Sequence, residues 1–277
     1  MLLIADSGST KTDWALADGP QVRTFSTDGI NPVYVNADII KKIVEKELPF
    51  DRNKISEVYF YGAGCIQGKT GALGRNLAEI FSEAKISVNS DLLGAARSLY
   101  GDTKGIVSIL GTGSNTGYYN GKKITDSVPS MGYILGDEGS GAVMGKKLIS
   151  AIYKRRMSQE ISDIFFEEYT ISYPKLIEFV YRQPMPNRFL AGFTRFISKN
   201  IQHPEISELV KNCFMEFIEY NLLKYENIEE TSVSFTGSIA YHFPEQLKQC
   251  LAQYSISLGD ITRTPIEGLI KYHTKTQ

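Results

Sequence analysis

The chain contains one short pattern twice: a strand, a turn of small polar residues, a second strand, an Asx-Gly turn and a third strand. The turns of the first copy lie between Gly8 and Gly19, and those of the second copy lie between Gly111 and Gly121. An Asx-Gly pair between two alternating apolar segments predicts a hairpin, because both turn positions must accept a positive φ. The repeat therefore predicts a duplication at the level of a domain and not a solenoid.

The order of the periodic segments predicts an α/β fold. Three short strands open the chain, and helices and strands then alternate up to residue 100 in the order βββαβαβα. Three antiparallel strands followed by two crossover units predict a mixed sheet with helices on its faces. The second half restarts with three strands over 105–128 and is mostly helical over 139–230. We expect it to end with a strand, a short strand near Ile256 and a helix after Pro265.

The length of the chain, 277 residues, exceeds the usual size of a single domain. We therefore expect two domains, 1–104 and 105–277, with the last helix as a candidate to pack back on the first. No low-complexity linker separates the halves, so we expect the domains to pack together and to form a cleft as the natural site.

Composition and charge exclude several classes of protein. The 30 basic and 31 acidic side chains leave a net charge of −1, which argues against a nucleic-acid partner bound through a basic surface. No apolar run reaches the roughly 20 residues that a membrane span needs, and the N-terminus lacks the positive segment of a signal peptide. Three scattered cysteines and three scattered histidines predict neither a disulfide framework nor a zinc site, and they favour the cytoplasm.

The first small-residue turn belongs to the segment DSGSTKT, residues 6–12. Gly8 permits a tight turn whose backbone N–H groups can point at one anion, and Asp6 could hold Mg²⁺ through water. A single turn of this kind would indicate an ordinary polar hairpin loop. The side chains that could contribute further donors or positive charge are Ser9, Thr10 and Lys11.

Two further turns have the same character. The segment LGTGSN, residues 110–115, occupies the equivalent hairpin of the second half, and two such hairpins across a cleft could grip a triphosphate from both sides. The segment FTGSIA, residues 235–240, follows a strand and opens a helix, which leaves room for a flat ring near the backbone. The candidate residues of these two turns are Gly111, Thr112, Gly113, Ser114, Gly237 and Ser238.

Taken in order, the three turns resemble the phosphate 1, phosphate 2 and adenosine motifs of the actin, Hsp70 and sugar-kinase ATPase superfamily. Within it, the chain resembles the branch of N-acetylglucosamine kinases and BadF/BadG-type ATPases over nearly its whole length. The resemblance implies two actin/hexokinase-like (ribonuclease H-like) lobes, each a mixed sheet with flanking helices, around a central cleft. It implies a kinase that uses ATP and Mg²⁺ to phosphorylate a hydroxyl of an amino sugar, with N-acetylglucosamine as the leading candidate. Members of this branch are commonly homodimers.

The same resemblance implies roles for individual polar residues. Asp91 matches the catalytic Asp that takes the proton of the attacking hydroxyl, and Asp137, in the run GDEGSG, matches a sugar-binding residue. Each Asp precedes a predicted helix and would also suit an N-cap, although the resemblance favours the functional role. The implied sugar-binding set is Asn31, Asp91, Thr112, Gly113 and Asp137.

A separate segment, AGCIQGKT over residues 63–70, matches a relaxed P-loop pattern with Ala in place of the first Gly. In a true P-loop, Lys69 would reach the phosphates and Thr70 would hold Mg²⁺. We favour a strand-to-helix loop at the cleft edge. Three strands precede the strand before this segment, and no apolar strand ending in Asp supplies a convincing Walker B motif. Residues 61–64 are expected to shape the substrate side.

Two alternatives from other functional classes are open at this point. A BadF/BadG-type regulatory or activator ATPase would have this fold without sugar kinase activity. The related dehydratase activators need a pair of suitably placed cysteines, whereas Cys213 and Cys250 fall at apolar helical positions and Cys65 stands alone. A sugar-binding scaffold without catalysis is the other alternative, and the joint presence of the candidate phosphate and carboxylate residues argues against it. The sequence does not separate N-acetylglucosamine from glucosamine or N-acetylmuramic acid.

Overall fold

Two five-stranded sheets carry the fold. A computed structural model of the chain describes residues 1–65, 69–226 and 228–275. The first sheet is formed by β1 (Leu2–Ser7), β2 (Lys11–Asp18), β3 (Gln21–Asp28), β4 (Glu57–Gly62) and β5 (Lys85–Ser90). The second sheet is formed by β6 (Lys104–Leu110), β7 (Ser114–Asn120), β8 (Ile124–Val128), β9 (Val233–Thr236) and β10 (Leu258–Thr262). The strand orders are β3-β2-β1-β4-β5 and β10-β9-β6-β7-β8.

Helices connect and cover these strands. Those of the first half are α1 (Ala37–Glu47), α2 (Thr70–Ile80) and α3 (Asp91–Tyr100). Those that follow β8 are α4 (Gly132–Leu135), α5 (Gly141–Tyr153), α6 (Gln159–Glu168), α7 (Tyr173–Tyr181), α8 (Pro186–Gly192), α9 (Thr194–Lys199), α10 (Pro204–Tyr220), α11 (Ser238–His242), α12 (Pro244–Gln253) and α13 (Ile266–Thr274). Short 3₁₀ turns lie at 52–54, 222–224 and 228–230. None of the helices in the described ranges combines the length and apolar character that a bilayer span requires.

The first sheet is mixed, which confirms the α/β prediction. Strand β2 pairs antiparallel with both β1 and β3, whereas β4 runs parallel to β1 and to β5. Because alternate side chains of a strand point to opposite faces, β1 contributes to two cores. Leu3 and Ala5 pack with Trp14 and Phe60 on one face, while Leu2 and Ile4 pack on the other.

Different helices cover the two faces of this sheet. Buried residues of α1 and α2, including Ile40, Val44 and Leu73, complete the core around Trp14. On the opposite face, Ile266 and Leu269 of the C-terminal helix α13 pack with Leu2, Ile4 and Tyr61. The last helix of the chain is therefore part of the same core as its first strand.

The chain divides into two compact units. The first unit comprises residues 1–107, 117–126 and the chain from residue 264 onward, and the second comprises 108–116 and 127–263. This division differs from a single boundary after residue 104, because β6, β7 and β8 each have residues in both units. Long-range pairing between strands decides this assignment, and sequence periodicity does not report it.

Serine residues, and not Asp91 and Asp137, occupy the N-cap positions of α3 and α5. The hydroxyl of Ser90 accepts a hydrogen bond from Leu93 N at 3.2 Å, and Asp91 is the first helical residue. The hydroxyl of Ser140 accepts a hydrogen bond from Val143 N at 3.3 Å. The alternative that Asp91 and Asp137 are the N-cap residues therefore does not hold, because Ser90 and Ser140 occupy those positions.

One other local expectation differs in detail from the structure. The short strand expected near Ile256 lies at Leu258–Thr262, where it pairs parallel with β9. Pro186 and Pro204 each begin a helix, α8 and α10. Proline suits the first turn of a helix because the N–H that it lacks has no partner there.

Candidate functional site

The first small-residue turn, residues 8–10, joins β1 to β2 in the first unit. The backbone N–H of Gly8 donates to Lys11 O at 2.9 Å, which closes the turn. Gly29 packs directly behind it: its N–H donates to Thr10 O at 3.2 Å, and a Cβ at position 29 would lie 2.6 Å from Gly8 O. Only glycine fits this position without moving the turn.

Buried hydroxyls fix the base of the turn. Ser7 and Thr12 are fully buried cross-strand partners, and their hydroxyl oxygens lie 2.6 Å apart. The backbone N–H of Ile30 donates to both oxygens, at 3.0 Å to Ser7 and 3.2 Å to Thr12. The loop that follows β3 is thereby attached to the first turn.

Asn31, the predicted sugar-binding residue, lies against the same turn and is 5% exposed. Its Nδ2 donates to Ser9 Oγ at 2.9 Å, and its Oδ1 accepts from Val33 N at 3.0 Å. Gly64, with a φ of +74°, packs against the amide, where a Cβ would overlap with Asn31 Oδ1. The structure therefore brings the candidate sugar loop and the candidate phosphate turn together in the first unit.

Three carboxylates lie at the same edge of the first sheet. Asp6 is in register with Asp13 on β2, and the charge of Asp91, at the start of α3, also acts on it. Lys11, a predicted phosphate-binding residue, forms an ion pair with Asp13 at 2.8 Å. Burial, together with the negative charges of Asp91 and Asp13, raises the pKa of Asp6 to about 7. Burial also raises the pKa of Asp91, whose Oδ1 accepts from Leu92 N at 2.8 Å.

This donor set fits a Mg²⁺ ion that keeps part of its water shell. Within the described ranges, no group of three or more His, Cys, Asp or Glu side chains forms a ready-made metal site. Mg²⁺ is commonly held by one or two carboxylates together with water and phosphate oxygens. A nearby cation would also offset the burial and the negative charges that raise the pKa of Asp6.

The second small-residue turn, residues 111–113, joins β6 to β7. Gly111 N donates to Gly113 O at 2.9 Å, so a glycine again closes the turn. The first turn of α5 holds it from behind, because Gly141 N donates to Gly111 O at 2.8 Å and Ala142 N donates to Thr112 O at 3.1 Å.

Asp137 is buried beside this second turn and is 8% exposed. Its backbone has a φ of 56°, a conformation that Asp adopts more readily than most residues. Its Oδ1 accepts from Ser114 N at 3.3 Å, and a Cβ on Gly113 would lie 3.0 Å from its Oδ2. The second glycine of the turn thus makes room for the carboxylate.

The third turn lies against the second one. Gly237 has a φ of +116°, and a Cβ there would overlap with Leu110 O. Its N–H donates to Thr262 O at 3.0 Å, and Ser238 is the first residue of α11. The structure therefore groups the candidate residues of the second and third turns with Asp137 in the second unit.

One charged residue of the first unit was not identified from the sequence. Asp13 stands directly opposite Asp6, and the symmetry of the hairpin about residues 8–11 could have indicated that pairing. The relaxed P-loop segment is described only in part, because residues 66–68 lie outside the described residues. Lys69 stands at the N-cap position of α2, and its side chain makes no capping hydrogen bond.

The cysteines occupy the core, as predicted for Cys213 and Cys250. Cys65, Cys213 and Cys250 are all free and buried. Burial raises the pKa of the Cys213 thiol to about 12, so this sulfur is neutral at ordinary pH. Such thiols suit packing rather than ligation of a metal cluster.

Comparisons with known proteins find relatives among solved structures. No family model matches the chain, and no curated protein sequence matches it. The chain is 42% identical to a protein of Porphyromonas gingivalis provisionally assigned as an N-acetylglucosamine kinase, with 99% of each chain covered and a TM-score of 0.95. A protein of Chromobacterium violaceum with the same provisional assignment is 16% identical, with 98% of each chain covered and a TM-score of 0.76.

A more distant structure has the same fold. A ROK family glucokinase of Streptomyces griseus, in complex with glucose and AMPPNP, is 14% identical with a TM-score of 0.62. The alignment covers 98% of this chain and 97% of that one. At this identity the likeness concerns the fold alone, which is that of the actin/hexokinase-like sugar kinases.

Proposed function

Because the chain belongs to the N-acetylglucosamine kinase branch of the actin, Hsp70 and sugar-kinase superfamily, we propose that it transfers the γ-phosphoryl group of ATP to an amino-sugar hydroxyl. The acceptor that we propose is N-acetylglucosamine. The observation that carries this proposal is the pair of carboxylates, Asp6 and Asp91, beside the first turn. Catalysis of phosphoryl transfer depends mainly on positioning the reactants and on stabilising charge. The carboxylates and the turn at this edge of the sheet are suited to both.

In the first unit, Asp91 is the proposed general base. Its raised pKa brings the carboxylate closer to the pH at which a base works efficiently, and it would take the proton of the attacking hydroxyl. Asp6 would hold Mg²⁺ through water, and that ion supplies positive charge for the phosphates. Amides and hydroxyls of the first turn would bind phosphate oxygens, and Asn31 would bind a hydroxyl of the acceptor. The proposed residues of this turn are Gly8, Ser9, Thr10 and Lys11.

In the second unit, the backbone N–H groups of the second turn are the proposed phosphate donors. Preorganised amides stabilise charge that develops in a transition state without reorganising during the reaction. Asp137 would orient the sugar with Thr112 and Gly113, and the third turn would hold the adenosine part of ATP. The phosphate-binding set proposed here is Gly111, Thr112, Gly113 and Ser114, with Gly237 and Ser238 for the nucleoside.

The decisive experiment is an assay of the purified protein with Mg·ATP and a panel of acceptors. N-acetylglucosamine, glucosamine, N-acetylmuramic acid and glucose are each incubated with the enzyme, ADP release is followed, and the sugar phosphate is identified by mass spectrometry. We expect N-acetylglucosamine to have the highest kcat/KM. If another amino sugar were preferred, the acceptor assignment would fail while the kinase assignment survived.

The alternative, a regulatory ATPase of the same fold, predicts ATP hydrolysis that no sugar stimulates. The same assay distinguishes it, because every arm would then release ADP at one rate without a phosphorylated sugar. The expected homodimer stays a prediction, which light scattering on the purified protein tests. The cytoplasmic location also stays a prediction, and fractionation of the cells tests it.

A further inference from the structure

Three elements of the first unit, the C-terminal helix α13, the strand β4 and the helix α3, each contact the other two. Leu269 of α13 lies in the core with Tyr61 of β4, and Leu93 of α3 packs against that core. Each of the three elements touches the other two through a small residue or a hydrogen bond. None of these side chains is a proposed catalytic or phosphate-binding residue, and Tyr61, from the segment expected to shape the substrate side, is buried in the core with α13.

Two glycines allow the close approach of these elements. Gly94 of α3 faces the ring of Tyr61, and a Cβ at this glycine would lie 2.8 Å from Tyr61 Cγ. Gly268 of α13 faces α3, and a Cβ there would overlap with the hydroxyl and carbonyl oxygens of Ser98. The helix α3 is therefore in tight contact with β4 on one side and with α13 on another.

A chain of hydrogen bonds closes the set. Arg97 Nη1 donates to the hydroxyl oxygen of Tyr61 at 2.7 Å, and this oxygen lies 2.8 Å from His273 Nε2. A guanidinium can only donate, so the Tyr61 oxygen accepts from it, and the arrangement that also satisfies the Tyr61 O–H has it donating to Nε2. In that arrangement His273 is neutral, with its hydrogen on Nδ1. Its ring also stacks on Tyr59, with the ring centroids 3.9 Å apart.

The guanidinium of Arg97 relies on this arrangement. In the part of the chain that the structure describes, no carboxylate lies within ion-pair distance of Arg97, and its Nε is buried without a hydrogen-bond partner. Aromatic rings surround the cation instead, with its Cζ 5.8 Å from the ring centroid of Tyr61 and 5.3 Å from that of Tyr272. The Tyr61 hydroxyl is thus one polar contact of Arg97, and the Tyr119 side chain is another.

The three elements are those that present the proposed catalytic carboxylates. Tyr61 is in register with Asp6 in the sheet, and α3 begins at Asp91. We infer that Tyr61, Arg97 and His273 are positioning residues, which hold α3 against β4 and so set the place of Asp91 relative to Asp6. This inference deepens the proposed function and rests on it for the role of Asp91.

The kinetic test compares substitutions that break the hydrogen-bond chain with one that preserves it. Tyr61→Phe removes the hydroxyl, His273→Leu removes the acceptor, and His273→Gln keeps an acceptor oxygen; Lys271→Gln, at an exposed position on α13, is the matched control. We expect kcat per folded molecule to fall roughly tenfold or more in the first two variants, since displacing a reacting group by 1 Å can cost about 10²-fold. The KM for ATP should stay unchanged, and His273→Gln and the control should stay within about twofold of the unmodified enzyme.

A second measurement tests the inference without relying on catalysis. Hydrogen exchange at the amides of Leu92 and Leu93 reports the first turn of α3, and we expect faster exchange in Tyr61→Phe and His273→Leu than in the control. If the unmodified protein phosphorylated no sugar, the proposed function would fail, and the exchange rates would still decide whether the chain positions α3. Unchanged exchange in both variants, or a lower melting temperature with unchanged kcat, would overturn the inference.

Discussion

The two small-residue turns have the same hairpin construction and different carboxylates beside them. In each, a glycine N–H closes the turn, and a hydroxyl pair bridges the flanking strands: Ser7 and Thr12 at 2.6 Å, and Ser108 and Thr116 at 3.0 Å. The first turn lies beside the carboxylate cluster of Asp6, which has a raised pKa. The second turn has Asp137, which accepts a hydrogen bond from a backbone N–H.

This difference suits the two turns to different parts of phosphoryl transfer, the chemical step at the first turn and the orientation of substrate at the second. A carboxylate that other carboxylates repel is poorly stabilised alone, and it gains from a proton, a metal ion or a ligand. A buried carboxylate that already accepts a hydrogen bond is held in one place, which suits the orientation of a substrate. We therefore expect substitutions at the first turn to affect chemistry and those at the second to affect binding.

The largest expected effect comes from Asp91→Asn. The amide still accepts from Leu92 N, so the fold is kept, but it cannot take a proton. We expect kcat to fall about 10²–10⁴-fold, the usual contribution of a general base, with little change in ATP affinity. Steady-state kinetics and ATP titration measure this, with Asp18→Asn at the exposed end of β2 as the control. A kcat near that of the unmodified enzyme would remove Asp91 from the catalytic role.

Substitution of Gly29 and Gly141, the glycines that pack behind the two turns, is the next test. Gly29→Ala places a methyl group 2.6 Å from Gly8 O, whereas the nearest contacts of a Cβ at Gly141 are 3.2–3.3 Å. We expect Gly29→Ala to lower the free energy of unfolding by about 1–3 kcal/mol or more, since overpacking against backbone forces a shift. Gly141→Ala should cost less than about 1 kcal/mol. Denaturant unfolding of both variants measures the difference, and equal costs would contradict it.

The parts of this comparison that depend on local sequence could be predicted. Clusters of Gly, Ser and Thr between alternating segments located all three turns, because the backbone conformations that turns require restrict the residue types. The capping residues could not be separated in this way. Ser90 and Asp91 are adjacent and have similar preference for an N-cap, so only the geometry of the chain decides between them.

The parts that depend on long-range contact could not be predicted from periodicity. The positive φ of Asp137 and the overlap that Gly237 avoids both depend on segments distant in the sequence. That the last helix packs back on the first half was expected, but its contacts with Leu2 and Ile4 of β1 could not be named, since its apolar residues would suit any apolar surface. Tertiary contacts of this type do not change the local hydrophobic periodicity, so that periodicity does not predict them.

The most direct test of the comparison is the pH dependence of stability in Asp6→Asn. The pKa of Asp6 is raised from 3.8 to about 7 in the folded protein, so the folded state binds more protons than the unfolded state between these values. The stability of the unmodified protein therefore falls as the pH rises through this window. Asn does not ionise, so Asp6→Asn should melt at a higher temperature than the unmodified protein at pH 8. The difference should vanish below pH 4.

Asp137→Asn is the matched control for this last prediction. Its carboxylate accepts from Ser114 N, so the substitution replaces a charge-assisted hydrogen bond with a weaker neutral one. We expect it to melt slightly lower than the unmodified protein at pH 8, opposite in sign to Asp6→Asn, and to raise the KM for the sugar more than it lowers kcat. Melting curves from pH 4 to pH 8 measure both variants in one experiment. If both variants moved the melting temperature in the same direction, the two turns would not differ in the way their surroundings indicate.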